Sequence, residues 1–364
     1  MRFWTLLWLS LKAQALIIYL AAGWLLVQMS LALLYPKMNT IPALDVAIAV
    51  ISTLMILLLA LVCQQFAVMA IHQRPKRPIQ QLLRNLRTLL TNERVMTLGL
   101  PAFLSLMIFI IAFSNIKANI PVLAPFTWDR TLDHFDMVLH FGRRPWEWLQ
   151  PVLGHWPVTL VIGFGYGLWF VVMFGVWVYY AFLTPPGVQR TRFFLAFILV
   201  WGIGGNILAI AFSSAGPCFF GAGHLNFAPD PYAPLLSYLR SANETVPIWA
   251  LPLQEGLWKL YLAGSPDGSL SAMPSVHNAT ALLFALASTG WPRWVRAFLW
   301  GFVAVIFLGS VHLGWHYAVD GYVGWAVTLA VWFISGKLAK RWEDTQAARH
   351  FRRLWQEQGA PLSV

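Results

Sequence analysis

The chain has 364 residues, of which 59% are hydrophobic and 11% are Asp, Glu, Lys or Arg, and its formal net charge is +11. Soluble globular proteins carry roughly 25% charged residues, so this composition excludes a soluble protein and indicates an integral membrane protein. The positive charge does not indicate nucleic-acid binding, because the basic residues are concentrated in a few segments between apolar runs, where they report membrane topology.

The apolar segments predict an all-α, polytopic integral membrane protein with about eight transmembrane helices. A helix needs about 20 predominantly apolar residues to cross a bilayer. The segments that meet this requirement are residues 15–35, 46–70, 95–113, 158–183, 193–213, 275–291, 297–315 and 319–338. The last two are nearly continuous, so we expect a sharp turn near residues 315–319.

The first residues of the chain allow two interpretations. A short apolar run at 3–11 is followed by Ala13-Gln14-Ala15, which resembles the cleavage site of a secretory signal. Lys12 interrupts this pattern, and a second apolar run follows at once. We therefore favour an interfacial helix that leads into the first span.

The basic residues set the expected orientation. Six Lys or Arg residues lie between the second and third predicted spans, and further pairs lie between the fourth and fifth and between the sixth and seventh. These segments and the basic tail share one side if both termini do, and the positive-inside rule makes that side cytoplasmic. We expect a multi-pass protein of the plasma or inner membrane, with cytoplasmic termini and with residues 271–277 and 312–320 toward the outside.

The expected organisation has four parts. They are three N-terminal spans (1–113), an extracytoplasmic interfacial segment (114–157), a transmembrane core (158–338) with an extracytoplasmic cap (216–272), and a cytoplasmic tail (339–364). Apolar and acidic residues recur at helical spacing around 128–139, which predicts a helix lying on the membrane. The cap is rich in Pro and Gly and predicts short helices and loops, and the tail predicts a solvated amphipathic helix.

Two short motifs place ionisable side chains at the ends of predicted spans. They are Ser-Ala-Met-Pro-Ser-Val-His at 271–277 and His-Leu-Gly-Trp-His-Tyr-Ala-Val-Asp at 312–320. Ionisable groups at such positions are costly and are functional candidates by default. On a continuous helix, His312, His316 and Asp320 would share one face, because they are four residues apart.

These side chains suit nucleophilic chemistry. Asp320 can accept a hydrogen bond from one ring nitrogen of His316, which fixes the tautomer and leaves the other nitrogen free to attack. His277 can protonate a leaving oxygen and later deprotonate an acceptor. At the predicted start of the sixth span, the free amides of Ser275 and Val276 would favour an anion.

The two motifs allow other interpretations. A single histidine at a helix end is usually only a hydrogen-bonded side chain, but three polar residues at one membrane face favour a functional site. A metal site is the sharper alternative, because His312, His316 and Asp320 form a two-His, one-carboxylate set. For His312 alone, a supporting role is expected rather than a catalytic one.

At these residues the chain resembles the type 2 phosphatidic acid phosphatase superfamily of metal-independent membrane phosphoesterases and phosphotransferases. The family's second motif, Pro-Ser-Gly-His, is Pro274-Ser275-Val276-His277 here. Its third motif has an Arg six residues before a His and an Asp four residues beyond it; His316 and Asp320 match, but Ser310 stands at the Arg position. The first motif, a Lys followed by Arg-Pro, has no convincing match, since Lys76-Arg77-Pro78 lies too early and on the other side of the membrane.

The resemblance covers roughly residues 212–324 and is strongest to the inositol-phosphorylceramide-synthase-like branch, which similarly lacks the full set of phosphate-gripping cations. It implies that His316 attacks phosphorus to form a phosphohistidine, that Asp320 orients it, and that His277 acts as general acid and then base. It implies no metal or organic cofactor. The expected phosphate-binding residues are Ser275, Val276, His312 and Lys259.

The missing cations favour a substrate with less charge than a phosphate monoester. A monoester carries close to two negative charges near neutral pH and benefits from several cations around its oxygens, whereas a diester carries one charge. Lys259, Arg240 and Lys117 are candidates to restore part of the positive charge.

We therefore expect an enzyme that transfers a phospho-head group from a phosphodiester lipid to an alcohol on a lipid, polyol or glycan. The alternatives are a lipid phosphate phosphatase that uses water, and a non-catalytic lipid-binding or transport protein. The expected partners are the lipid phosphoester, the acceptor and the bilayer, and no nucleic acid.

Overall fold

The computed structural model describes residues 3–42, 77–265 and 268–357, together with scattered positions between 44 and 62. These residues form helices and contain no strand, which confirms the predicted all-α fold. The main helices, numbered in chain order, are α1 (Phe3–Ala13), α2 (Ala15–Leu34), α3 (Pro78–Leu90), α4 (Glu93–Ala118), α5 (Asp129–Leu139), α6 (Pro145–Leu153), α7 (Trp156–Leu183), α8 (Val188–Ala211), α9 (Ala233–Thr245), α10 (Ala250–Leu262), α11 (Val276–Ala287), α12 (Arg293–His312), α13 (Ala318–Glu343) and α14 (Gln346–Glu357).

Within the described residues, six helices are long and apolar enough to cross a membrane, namely α2, α4, α7, α8, α12 and α13. The predicted span 46–70 lies outside the described residues apart from a few positions. The predicted span 275–291 is the 12-residue helix α11, which is shorter than expected because the chain turns after Ala287. Eight spans are therefore not confirmed.

The short helix α11 lies at the centre of the largest apolar core. Its side chains Ala281, Leu283 and Phe284 are completely buried and belong to one cluster with side chains of α2, α4, α7, α8, α12 and α13. A helix that is apolar on all sides is expected in the interior of a bundle. The longer helices therefore surround α11 and hold its N-terminus in place.

Helix α8 departs from ideal geometry over Val200–Leu208, where it forms a π-helical stretch. Stretches of this kind occur frequently at functional sites. This one contains Gly205, where an added methyl group would lie 2.6 Å from Phe113 and 2.8 Å from Val276. Glycine therefore allows α4 and the first turn of α11 to approach α8 together.

The helix predicted around residues 128–139 is present as α5, and its acidic side chains face the protein. Asp129, Asp133 and Asp136 are buried, whereas Phe135 is 46% exposed. The buried carboxylates hold α5 against the end of the bundle where α11 and α13 begin, which is called the site end below. The alternation of acidic and apolar residues thus predicted the helix, and the carboxylates supply its contacts with the protein.

The cap segment contains α9 and α10. Their side chains Leu235, Leu239 and Trp258 form a second apolar core together with Leu313. Leu313 directly follows α12, so the cap packs on the residues that link α12 to α13.

The predicted tail helix is present as α14, and it is packed against the bundle rather than simply solvated. Phe351 is 2% exposed and Trp355 is 8% exposed, and both cluster with Ala13 of α1 and Leu98 of α4. The expectation of a solvated end was wrong, because the apolar stripe of this charged helix finds a partner surface on α1 and α4.

Candidate active site

The second motif lies at the junction of α12 and α13. Helix α12 ends at His312, and Gly314, whose φ is +74°, turns the chain. The His316 amide donates to the Ser310 carbonyl at 3.0 Å, and α13 begins two residues later. His312, His316 and Asp320 do not share one face of a continuous helix, because α12 ends at His312 and α13 begins only at Ala318; the chain turns between them, as the sequence predicts.

His316 is held in one orientation through its Nδ1 atom. This atom lies 2.9 Å from the Ala272 carbonyl oxygen and 3.4 Å from Oδ2 of Asp320. Because a carbonyl oxygen only accepts hydrogen bonds, Nδ1 carries the proton and the lone pair of the neutral ring is on Nε2. The predicted neighbour Asp320 is therefore beside the ring, while the shorter contact is to a main-chain carbonyl.

Asp320 joins the two motifs at the start of α13. It is completely buried, and its Oδ2 accepts a hydrogen bond from the Tyr317 amide at 3.0 Å. Its main-chain carbonyl accepts from the Ser275 amide, also at 3.0 Å. Among the described residues, Oδ1 has no hydrogen-bond partner. A carboxylate in this position can stabilise positive charge on the neighbouring imidazole.

His277 lies in the first turn of α11 and faces the His316 ring. The two ring centroids are 5.9 Å apart and the ring planes are inclined by 56°. On its other sides the His277 ring stacks on Tyr166 at 5.1 Å and packs against Trp169 at 4.4 Å. Two aromatic rings of α7 thus restrict His277 to a position next to His316.

The N-terminus of α11 is the predicted anion-binding position. Ser275 caps the helix, with its Oγ 3.4 Å from the Asn278 amide, and the regular hydrogen bonding of the helix begins only at Ala279. The Ser275 amide is engaged by Asp320, so it is not free as the sequence led us to expect. The amides of Val276 and His277 are among those that a helix start leaves without an intrahelical acceptor.

Two predicted phosphate-binding residues have other surroundings than the three predicted catalytic side chains. His312 is completely buried, and its Nε2 lies 2.9 Å from Thr159 Oγ1, which is 2.6 Å from the Tyr238 hydroxyl. Lys259 is exposed on α10. Among the residues that the structure describes, no three His, Cys, Asp or Glu side chains are placed to hold a metal ion. The phosphate-binding roles of His312 and Lys259 stay predictions.

Two carboxylates of α5 fix the junction and were not among the predicted site residues. Asp136 accepts hydrogen bonds from the Ala318 and Val319 amides at 2.8 and 2.9 Å. Asp129 accepts one from the Tyr317 hydroxyl at 2.9 Å. The acidic pattern of α5 is visible in the sequence, but the partners of these carboxylates are main-chain and side-chain groups far away along the chain, and no sequence signal identifies them.

Burial shifts the proton affinities at the site end. It lowers the pKa of His316 to about 3, and the positive charge of Lys117 lowers it further. His316 is therefore neutral at neutral pH, as a nucleophile must be. Burial also raises the pKa of Asp136 to about 7, against the effect of its two amide hydrogen bonds.

The family model described as the PAP2 superfamily matches residues 130–334, which is more than half of the chain and includes both motifs. The chain belongs to the PAP2 superfamily. Membership supports a lipid phosphatase or phosphoesterase type of function at the membrane and agrees with the resemblance inferred from the motifs. The comparison with curated proteins gave no match, and the comparison with solved structures gave none either.

Proposed function

We propose that this member of the PAP2 superfamily cleaves a lipid phosphoester through a phosphohistidine. Nε2 of His316 attacks phosphorus and forms an N–P bond while the P–O bond to the leaving group breaks. His277, protonated when the phosphoryl anion is bound, gives its proton to the leaving oxygen. The hydroxyl of an acceptor then attacks phosphorus, the N–P bond breaks, and His277 takes the hydroxyl proton. Asp320 stabilises the positive charge that the His316 ring carries in the intermediate.

The observation that carries this proposal is the arrangement of the two imidazoles. The Nδ1 proton of His316 is directed to the Ala272 carbonyl. The ring centroid of His277 lies 5.9 Å from that of His316, a separation that one phosphoryl group can bridge. The Val276 and His277 amides are placed to hold phosphoryl oxygens at the N-terminus of α11. The Ser275 amide can join them only by releasing the Asp320 carbonyl.

Transfer to an alcohol is favoured over hydrolysis by the charge of the site. Ser310 stands where the family motif has Arg; it is 1% exposed and accepts a hydrogen bond from Asn278 Nδ2 at 2.8 Å, so this position supplies no cation. A phosphodiester with one negative charge suits such a site better than a monoester. The packing of α9 and α10 on the α12–α13 junction favours exclusion of water. These features support a head-group transferase similar to the inositol-phosphorylceramide-synthase-like branch.

The distribution of basic residues supports an extracytoplasmic site. The segment around α3 and the tail around α14 are rich in Arg and Lys, and the positive-inside rule would place them in the cytoplasm. We propose that both termini are cytoplasmic and that the site end faces the outside of a plasma or inner membrane.

The purified protein, incubated with phosphodiester lipids with and without an alcohol acceptor such as a ceramide or a polyprenol, tests the function. We expect acceptor-dependent transfer, its abolition by His316→Ala, and full activity in His134→Ala, which removes an exposed histidine of α5. Full activity of His316→Ala would overturn the mechanism. If the only product is the hydrolysis product, and its amount does not depend on any alcohol acceptor, the protein is a phosphatase instead. Loss of activity in a chelator with recovery on adding a divalent ion would contradict a metal-free scheme.

A further inference from the structure

The proposed site needs a positive charge that the family-like motifs do not supply. Ser310 replaces the motif's Arg, and the two cap candidates, Lys259 and Arg240, are exposed on α10 and α9. A phosphoryl group in transfer carries negative charge on its non-bridging oxygens and is stabilised mainly by positioned cations and amides. A cation from another part of the chain would complete the site.

Helix α4 brings Lys117 to this position. Phe113 of α4 and Val276 of α11 both pack on Gly205, as the distances of 2.6 and 2.8 Å from a methyl group at that residue show. Lys117 is four residues after Phe113, so it lies one helical turn further toward the site end on the same face of α4. Val276 is followed by His277, so Lys117 lies beside the first turn of α11.

The surroundings of Lys117 agree with this placement. Its ammonium is close enough to interact electrostatically with both His277 and His316. Lys117 is partly buried, and within the described residues no carboxylate forms an ion pair with it. A sheltered cation near two imidazoles and without a carboxylate partner is unfavourable on its own. A bound anion would supply the missing partner.

The end of α4 is fixed by contacts with the N-terminal part of the chain. Asn115 Oδ1 accepts a hydrogen bond from the Ile41 amide at 2.7 Å, and Asn119 Oδ1 accepts from the Asn39 amide at 2.8 Å. The turn that carries Lys117 therefore has asparagines on either side that are tied to the segment after α2. The segment after α2 thus helps to hold the turn of α4 that carries Lys117.

We propose that Lys117, which lies outside the matched family region, binds the substrate phosphoryl group in place of the missing motif cations. This inference rests on the proposed function of the same site. With one cation rather than several, the site selects a singly charged phosphodiester over a doubly charged monoester.

Orthovanadate, a phosphate analogue, tests this without turnover. We expect it to raise the melting temperature of the wild type, and we expect Lys117→Met to weaken this binding about a hundredfold, the scale of removing one charge-stabilising donor. Lys117→Arg should keep binding within about tenfold. Lys340→Met, which removes an exposed lysine near the other end of α13, is the control and should bind as the wild type does. Equal orthovanadate binding by wild type and Lys117→Met would overturn the proposal.

The stability and the turnover of Lys117→Met supply two further outcomes. Without ligand, we expect it to melt no lower than the wild type, since it loses an unpaired sheltered charge; failure to fold would show that Lys117 has a structural partner and would overturn the proposal. With a phosphodiester lipid, we expect kcat/KM to fall about a hundredfold, and the preference over a monoester to persist or grow, because loss of a cation penalises the doubly charged monoester more. Activity of His316→Ala would instead refute the proposed function, and the orthovanadate comparison would still decide the role of Lys117.

Discussion

Replacing Gly205 by alanine should disturb the contact between α4, α8 and α11. The added methyl group would lie 2.6 Å from a ring carbon of Phe113 and 2.8 Å from a methyl carbon of Val276, where ordinary contacts are about 3.5–4.0 Å. Both neighbours are buried in the main core, so they cannot move without displacing a helix. Overpacking of this kind costs about 1–3 kcal/mol, and α11 would shift relative to α4.

The adjacent residue is a matched control for this substitution. At Gly204 an added methyl group would meet only Val327, at 4.0 Å, so Gly204→Ala should be neutral or stabilise the helix by up to about 1 kcal/mol. Thermal unfolding in detergent measures both variants. Since a displacement of about 1 Å can cost a hundredfold in rate, we expect kcat/KM to fall at least tenfold in Gly205→Ala alone. Equal stability and equal activity of the two variants would refute the packing argument.

Four further substitutions, one of them a control, test the site end and the anchoring of the start of α8. Ser310→Arg restores the Arg of the family motif. Because Ser310 is buried and bonded to Asn278, this variant should have a lower melting temperature and should not gain monoester hydrolysis. A stable variant with faster monoester hydrolysis would contradict this. Burial raises the pKa of Asp136 to about 7 from 3.8. The native protein therefore binds the carboxyl proton of Asp136 more tightly than the unfolded chain does. As a result, the contribution of this residue to stability falls as the pH rises from about 4 to about 7. Asp136→Asn should remove that part of the decline in melting temperature, and parallel profiles of variant and wild type would count against it. Arg190→Met should lower the free energy of unfolding by more than about 3 kcal/mol, because the buried guanidinium donates four hydrogen bonds. Arg192 donates one such bond, so Arg192→Met should cost about 1 kcal/mol. Similar losses of melting temperature in the two variants would contradict this difference.

The helices could be predicted from the sequence because their lengths follow from continuous apolar runs. The predicted span 158–183 is Trp156–Leu183 in the structure, and the predicted turn between the last two spans is present. The exact end of α12 was missed, although Gly314 is a typical signal for the end of a helix. The apolar run continues past His312, so hydropathy alone places the end of this span too late.

For the candidate site, the sequence predicts the side chains but not the main-chain groups that hold them. The residue types and spacing of His277, His316 and Asp320 are sufficient to predict that these side chains lie near one another, because all three lie near the ends of helices at one end of the bundle. The Ala272 carbonyl and the inward direction of the α5 carboxylates could not be predicted, because a main-chain acceptor has no residue type and amphipathic spacing does not say which face is buried. The direct partners of Asp136 depend on tertiary packing alone.

The Ala272 carbonyl has a consequence for how the sequence of this protein can vary. Every residue contributes a carbonyl, so no point substitution at position 272 deletes the acceptor that sets the His316 tautomer. Its location depends instead on chain path: the Ala272 amide donates to the Ser214 carbonyl at 2.9 Å, and the Met273 amide donates to Ser214 Oγ at 3.1 Å. Side chains around Ala272 can therefore change while the proton stays on Nδ1 of His316. An insertion of one residue would move the carbonyl and would be more damaging than most replacements.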